Sequence, residues 1–149
     1  MATQTGPHLH FHGNCREAFN FYAETFGGRI VFSMTFGESP MGEQSPPEVR
    51  NQIIHARIDL GGQFLLGCDA PGERYQAPQG FNVMAALEKP ADAERVFRAL
   101  AEGGEITMPI QETFWAHRFG MCTDRFGTPW MVNCEKPLDA VAASGRKSA

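Results

Sequence analysis

The sequence predicts an α+β fold: two tandem βαβββ modules whose strands form a curved mixed sheet around a cavity. The first observation is a helix-and-stop pattern written twice. Phe21-Tyr22-Ala23-Glu24-Thr25-Phe26-Gly27-Gly28-Arg29-Ile30 returns as Phe97-Arg98-Ala99-Leu100-Ala101-Glu102-Gly103-Gly104-Glu105-Ile106, with Phe, Ala, Gly, Gly and Ile in register 76 positions apart. The second is a strand pattern. Phe64-Leu65-Leu66-Gly67-Cys68-Asp69 and Trp130-Met131-Val132-Asn133-Cys134-Glu135 both read aromatic, three mostly apolar residues, Cys, acid, 66 positions apart. The third is hydrophobic periodicity, which alternates between the two-residue period of strands and the 3.6-residue period of helices. Each amphipathic helix covers one face of its strands, and the other face is left to curve around a cavity.

The first strand is placed at His8–His12. Asn14 then caps a helix, with Glu17 at capping-box spacing. Ala18, Phe19, Tyr22 and Phe26 form its apolar stripe, and Gly27-Gly28 stops it. Strands follow at Arg29–Phe36, Gln52–Leu60 and Gln63–Asp69, the last two joined by a Gly61-Gly62 hairpin turn. The second module opens with a strand at Asn82–Leu87. Its helix starts near Pro90, which a first helical turn accepts, and carries the stripe Ala93, Val96, Phe97, Leu100 and Ala101. Glu105–Gln111, His117–Asp124 and Thr128–Glu135 complete it. Residues 1–136 are expected to make a single domain, with module one at about 7–70 and module two at about 79–136. The segment 137–149 is small and polar and is expected to be a fraying tail.

The 149 residues are 42% hydrophobic and 20% charged, with net charge −4, the composition of an ordinary globular protein. No basic stripe marks a nucleic-acid surface. No apolar run approaches the roughly 18 residues of a membrane span. The start, Met1 to His8, lacks the charged and apolar regions of a signal peptide, so a cytoplasmic location is expected. Cys15, Cys68, Cys122 and Cys134 form no CxxC pair and read as reduced thiols. Cys68 and Cys134 read as packing residues.

Three of the five histidines stand in His8-Leu9-His10-Phe11-His12. A strand turns alternate residues to one face, so the imidazoles share one side while Leu9 and Phe11 pack under the helix. His8 and His10 point into the cavity and His12 lies nearer its rim. His55 and His117 are expected to join them. Two histidines at i and i+2 can chelate an ion, so His8 and His10 are the best metal candidates, for Zn, Ni or Fe. Lining a polar cavity is the favoured role. Trp115 and His117 share a face with Phe119; His117 can serve as a base and Arg118 can hold an anion. The insertion Gly37–Arg50 reads as a solvated loop that can also lie over a pocket.

Gln111-Glu112-Thr113-Phe114-Trp115-Ala116-His117-Arg118-Phe119-Gly120, then Thr123-Asp124-Arg125-Phe126-Gly127 and Pro129-Trp130-Met131-Val132-Asn133, resemble the PhnB-like proteins. So does Gly13-Asn14-Cys15-Arg16-Glu17-Ala18 leading into Phe21-Tyr22. The resemblance runs from about Pro7 to Lys136. It implies the vicinal-oxygen-chelate superfamily of glyoxalase I, extradiol dioxygenases and bleomycin- or fosfomycin-resistance proteins, built from paired βαβββ modules. It also implies a small-molecule ligand and a homodimer. Enzymes of the superfamily hold a divalent ion with His, Glu or Gln on the first and last strand of each module. Here those positions fall near Pro7 or His8, Leu65, Asn82 and Met131, so the metal site reads as degenerate and the protein as a binder of a small organic molecule. The alternative is a metal-dependent lyase, isomerase or dioxygenase acting on a vicinal-dioxygen substrate. PhnB-like proteins are sometimes labelled ubiquinone-pathway methyltransferases. No strand in this chain leads into a G-x-G-x-x-G loop opening a helix, the place where a nucleotide-like cofactor would sit.

Overall fold

The computed structural model describes residues 2–147. The chain divides into two units, 1–78 and 79–149. The first contains β1 (His8–Phe11), α1 (Cys15–Phe26), β2 (Arg29–Thr35), β3 (Ile53–Asp59) and β4 (Phe64–Asp69). Its sheet has the order β1-β4-β3-β2. β1 runs parallel to β4, and the other pairs are antiparallel. Parallel neighbours need a long crossover, and α1 with the β2–β3 hairpin supplies it.

α1 covers one face of this sheet. Leu9 and Phe11 are buried under it, as the alternation in β1 predicts, beside Ala18, Phe19 and Tyr22. The Phe11 and Phe19 rings meet edge-on at 5.9 Å, a favoured aromatic geometry. Gly61 and Gly62 both have positive φ, 66° and 96°, and turn β3 into β4.

The start of α1 corrects one expectation. Asn14 makes no side-chain capping bond, and its Oδ1 is buried without a partner. The cap comes from the end of β4. Asp69, 3% exposed, accepts from the amides of Gly13 and Cys15 at 2.9 and 3.0 Å through Oδ1. Its Oδ2 accepts from the Ile53 amide at 2.8 Å. One carboxylate thus ties the β1–α1 connection, α1, β3 and β4 together.

The second unit contains β5 (Val83–Ala86), α2 (Pro90–Ala101), β6 (Glu105–Gln111), β7 (Ala116–Thr123) and β8 (Pro129–Glu135). Its sheet order, β5-β8-β7-β6, repeats the first. Ala93, Val96, Phe97 and Leu100 of α2 are buried, as are Cys122, Trp130, Val132 and Cys134 of the sheet. The buried Trp130 indole donates Nε1–H to Asp124 Oδ2 at 2.8 Å, while Asp124 Oδ1 accepts from the amides of Phe126 and Thr128 in the β7–β8 turn. Residues Leu138–Lys147, expected as a polar tail, form a further helix, α3. Its alanines favour helix where the polar composition suggested none.

Candidate functional site

The uncovered face of the first sheet gathers the histidines. His8 and His10 are exposed on β1, opposite in facing to the buried Leu9 and Phe11. β1 lies beside β4 with His8 against Leu66 and His10 against Cys68. β3 lies on the other side of β4, with Ala56 against Gly67. The next step along that antiparallel ladder brings His55 beside Cys68. His55 in turn pairs with Met34 of β2. A row of His10, Cys68, His55 and Met34 therefore crosses all four strands on one face.

Within this row the contacts are close. The His8 and His10 ring centroids are 5.0 Å apart, and His8 stacks against His55 at 6.2 Å. Phe32 leans on His55 at 5.7 Å. Cys68 Sγ lies 3.8 Å from His10 Nδ1. One donor atom each from His8, His10 and Cys68 falls within 4.8 Å of the others. Partial burial, then the neighbouring His10 and His55, hold the His8 pKa below its ordinary value, which keeps its imidazole neutral near pH 7. Burial and the adjacent Asp69 push the Cys68 thiol up. His12 lies beyond the end of β1, exposed, its ring 4.9 Å from Tyr75.

The sequence reading missed Cys68 as a member of this group. The signal was there in parity: Asp69 ends β4 on the helix side, so Cys68 must face away.

In the second unit, Trp115 stands just before β7, its ring 5.0 Å from Phe119 and 4.8 Å from Phe114. His117 is exposed. Arg118 is engaged: its Nε donates to Glu94 Oε1 of α2 at 2.7 Å, and its Nη1 donates to the His117 carbonyl at 2.6 Å. It belongs to the helix-covered side with Gly120, where an added Cβ would meet Phe97 of α2 at 2.8 Å. A recess of about 670 Å³ lies against α2 and β6, lined by Phe97, Ala101, Ile106 and Ile110 among others. None of the candidate residues lines it.

The facing of the closing strands corrects the metal positions. Leu65, Gly67 and Asp69 are buried in β4, and Trp130, Val132 and Cys134 in β8. Leu65 therefore corresponds to Trp130 and Asp69 to Cys134, one position away from the letter-by-letter match of Phe64 with Trp130. A slip of one residue exchanges the faces of a strand. The partner of His8 on the uncovered face is Leu66, not Leu65. Asn82 precedes β5 and gives its Nδ2–H to the Trp130 carbonyl at 3.3 Å. The β5 residue of the uncovered face that pairs with Met131 is Met84. The four positions thus hold His8, Leu66, Met84 and Met131. One imidazole and two thioethers do not make the oxygen- and nitrogen-rich shell that a hard catalytic ion needs, so the superfamily's ion does not fit these residues.

A family model described as 3-demethylubiquinone-9 3-methyltransferase matches residues 3–133. The chain belongs to this family. It is similar to Protein YjdN of Escherichia coli, 36% identical over 138 residues, which span 87% of this chain and 94% of YjdN. It is similar to protein PA1353 from Pseudomonas aeruginosa, at 43% identity and TM-score 0.81, covering 91% of this chain and all of that one. The PhnB protein from Bacillus cereus, described as a putative 3-demethylubiquinone-9 3-methyltransferase, matches at 25% identity and TM-score 0.75, over 88% of this chain and 98% of its own. The fosfomycin resistance protein FosX from Listeria monocytogenes shares the fold at 10% identity and TM-score 0.64, over 94% of this chain and 98% of its own. The protein is a PhnB-like member of the vicinal-oxygen-chelate superfamily, as the sequence motifs imply.

Proposed function

We propose that this protein binds a small organic molecule on the uncovered face of its sheets, without the oxygen-chelating ion of its metalloenzyme relatives. The observation that carries this reading is the occupancy of the four ion positions, of which only His8 is an imidazole or carboxylate. What the first sheet offers instead is a ring-lined surface: His8, His10 and His55 supply ring nitrogens that can hydrogen-bond, and Phe32 supplies apolar area, 43% exposed. That mixture of rings with a few polar groups suits a small aromatic or antibiotic-like ligand. Trp115 and His117 offer the same chemistry in the second unit. Arg118 is held by Glu94 and has no part in it. A metal-dependent lyase, isomerase or dioxygenase is the reading this donor set disfavours. We take the protein to be a homodimer, as the resemblance implies, and place it in the cytoplasm. No helix among the described residues is long and apolar enough to cross a membrane.

The test is a titration followed through the imidazole resonances of the histidines. Three probes are used: bleomycin as a large antibiotic, fosfomycin as a small anion and catechol as a vicinal dioxygen compound. We expect at least one to shift His8, His10 and His55 together without added metal. No shift with any of the three would remove the reading. Catechol binding that requires added Mn²⁺ or Fe²⁺ would replace it with the metalloenzyme.

A further inference from the structure

The structure assigns a thiophilic metal site to His8, His10 and Cys68. This goes beyond the ligand-binding reading, and it is not the superfamily's site displaced. Two of its three donors, His10 and Cys68, lie outside the positions that the superfamily's ion uses, and its thiolate selects a different class of metal.

The geometry comes from the strand pairing. His8 and His10 stand at i and i+2 on one face of β1, and the parallel register sets Cys68 directly beside His10. Zinc bonds to sulfur and imidazole nitrogen are about 2.3 and 2.0–2.1 Å. At tetrahedral to trigonal angles they place S and N roughly 3.6–3.8 Å apart. The Sγ to Nδ1 separation of 3.8 Å already has that length. The three donors lie within 4.8 Å of one another, so small rotations about side-chain bonds bring His8 into the same shell. Both histidines are exposed and Cys68 is half-buried, which gives an ion a way in. The other three cysteines are buried.

The donor set names the metal. Two imidazoles and one thiolate suit Zn²⁺ or Cu⁺ and reject Mg²⁺, Ca²⁺ and Mn²⁺, which want oxygen. Three protein ligands leave a fourth position for water or an exchangeable donor. His55, stacked on His8, stands beside the shell as an orienting neighbour and not as a ligand.

The experiment is titration of the full-length reduced protein with Co²⁺ as a spectroscopic stand-in, followed by competition with Zn²⁺. We expect one equivalent to bind, with a thiolate-to-cobalt charge-transfer band that Zn²⁺ abolishes. In Cys68→Ser the band should vanish. Affinity should fall by more than the roughly 10–100-fold seen when an outer-shell partner is lost. His10→Ala should weaken binding comparably, and His55→Ala by less. Zn²⁺ should also protect Cys68 from alkylation by iodoacetamide in the wild-type protein, a readout that needs no variant to fold. Cobalt binding without the charge-transfer band, equal affinity in Cys68→Ser, or alkylation of Cys68 unaffected by Zn²⁺ would each overturn the site. No organic ligand is present, so failure here leaves the ligand-binding reading standing, and the reverse holds too.

Discussion

The two helices begin at equivalent places and solve the same problem in opposite ways. The first residue of α1 is Cys15, whose amide points out of the helix end with no intrahelical partner. Asp69 at the end of β4 takes it, with the Gly13 amide. The first residue of α2 is Pro90, which has no amide hydrogen to satisfy. The residue of β8 corresponding to Asp69 is Cys134, a buried thiol that makes a weak contact, at 3.6 Å, with the Glu88 carbonyl just before the helix. A carboxylate is kept where there are donors to bind and replaced by a small apolar group where proline has removed the donor. The scaffold is duplicated; the polar chemistry is not.

This contrast breaks most visibly at Asp69. Replacing it with Ala leaves three amides without their acceptor, and we expect a loss on the order of 3–5 kcal/mol in denaturant unfolding. Cys134→Ala removes only a few packed atoms and should cost about 1 kcal/mol. Equal losses at the two positions would show that the carboxylate is dispensable and that the strand end matters in both modules for packing alone.

The next largest effect is expected at the glycines that end each helix-to-strand turn. An added Cβ at Gly104 would run into the Thr123 carbonyl oxygen and lie 2.9–3.0 Å from the backbone of Asp124. At Gly28 it would press on the movable tip of Leu60, and stand 2.9 Å from the Asp59 carbonyl. Both positions meet strand backbone, but far more closely at Gly104, and at Gly28 the nearest atom is a side-chain tip that can yield. Gly104→Ala should therefore lose about 3 kcal/mol and Gly28→Ala about 1, both measured by chemical denaturation. The reverse order would mean that β7 shifts more readily than β3.

A smaller effect comes from the buried thiols. Burial, then the nearby Asp124, pushes Cys122 up to about 11. Cys15 is raised further, by burial and then by Asp69. An unfolded thiol releases its proton near pH 8.5–9, while these two hold theirs. The folded state then binds more protons than the unfolded one, so stability falls as pH rises from about 9 toward 11. The melting temperature should decline across that range in the wild type. The decline should be shallower in a Cys15→Ala, Cys122→Ala double variant, whatever its starting stability. An unchanged slope would mean that the thiols titrate no differently in the fold.

The β strands and the two module helices were legible because hydrophobic period needs only local sequence. Phe19 and Tyr22, or Val96 and Leu100, announce a helix face without reference to anything distant. What local reading could not reach was the pairing between strands. Matching Phe64 to Trp130 by letter put the closing strands out of step by one, and only burial of Leu65 and Trp130 together restores the facing. Cys68 entered the histidine group for the same reason. Its neighbour His10 is 58 residues away, and nothing in either segment alone brings the two strands side by side. Asp69 was likewise read as a strand-end acid, because its three amide partners come from the β1–α1 connection, α1 and β3.

Asn14 gives the smallest and most diagnostic prediction. A capping asparagine replaced by alanine ordinarily costs about 0.5–2 kcal/mol, because its side chain accepts from an amide of the first turn. Here the side chain makes no such bond. Its Oδ1 is buried without a partner, while Asp69 already occupies the Cys15 amide. Removing an unpaired buried oxygen relieves a desolvation cost, which offsets the packing that alanine gives up. Asn14→Ala should therefore lie within about 0.5 kcal/mol of wild type in urea unfolding, below the ordinary capping penalty. The comparison sharpens in a double-mutant cycle with Asp69→Ala. If Asn14 stays outside the cap, the two changes add. If it moves in to replace the lost carboxylate, Asn14→Ala becomes costly only in the Asp69→Ala background. A loss above 1 kcal/mol for Asn14→Ala alone would return the cap to Asn14 and reduce Asp69 to a tie between strands.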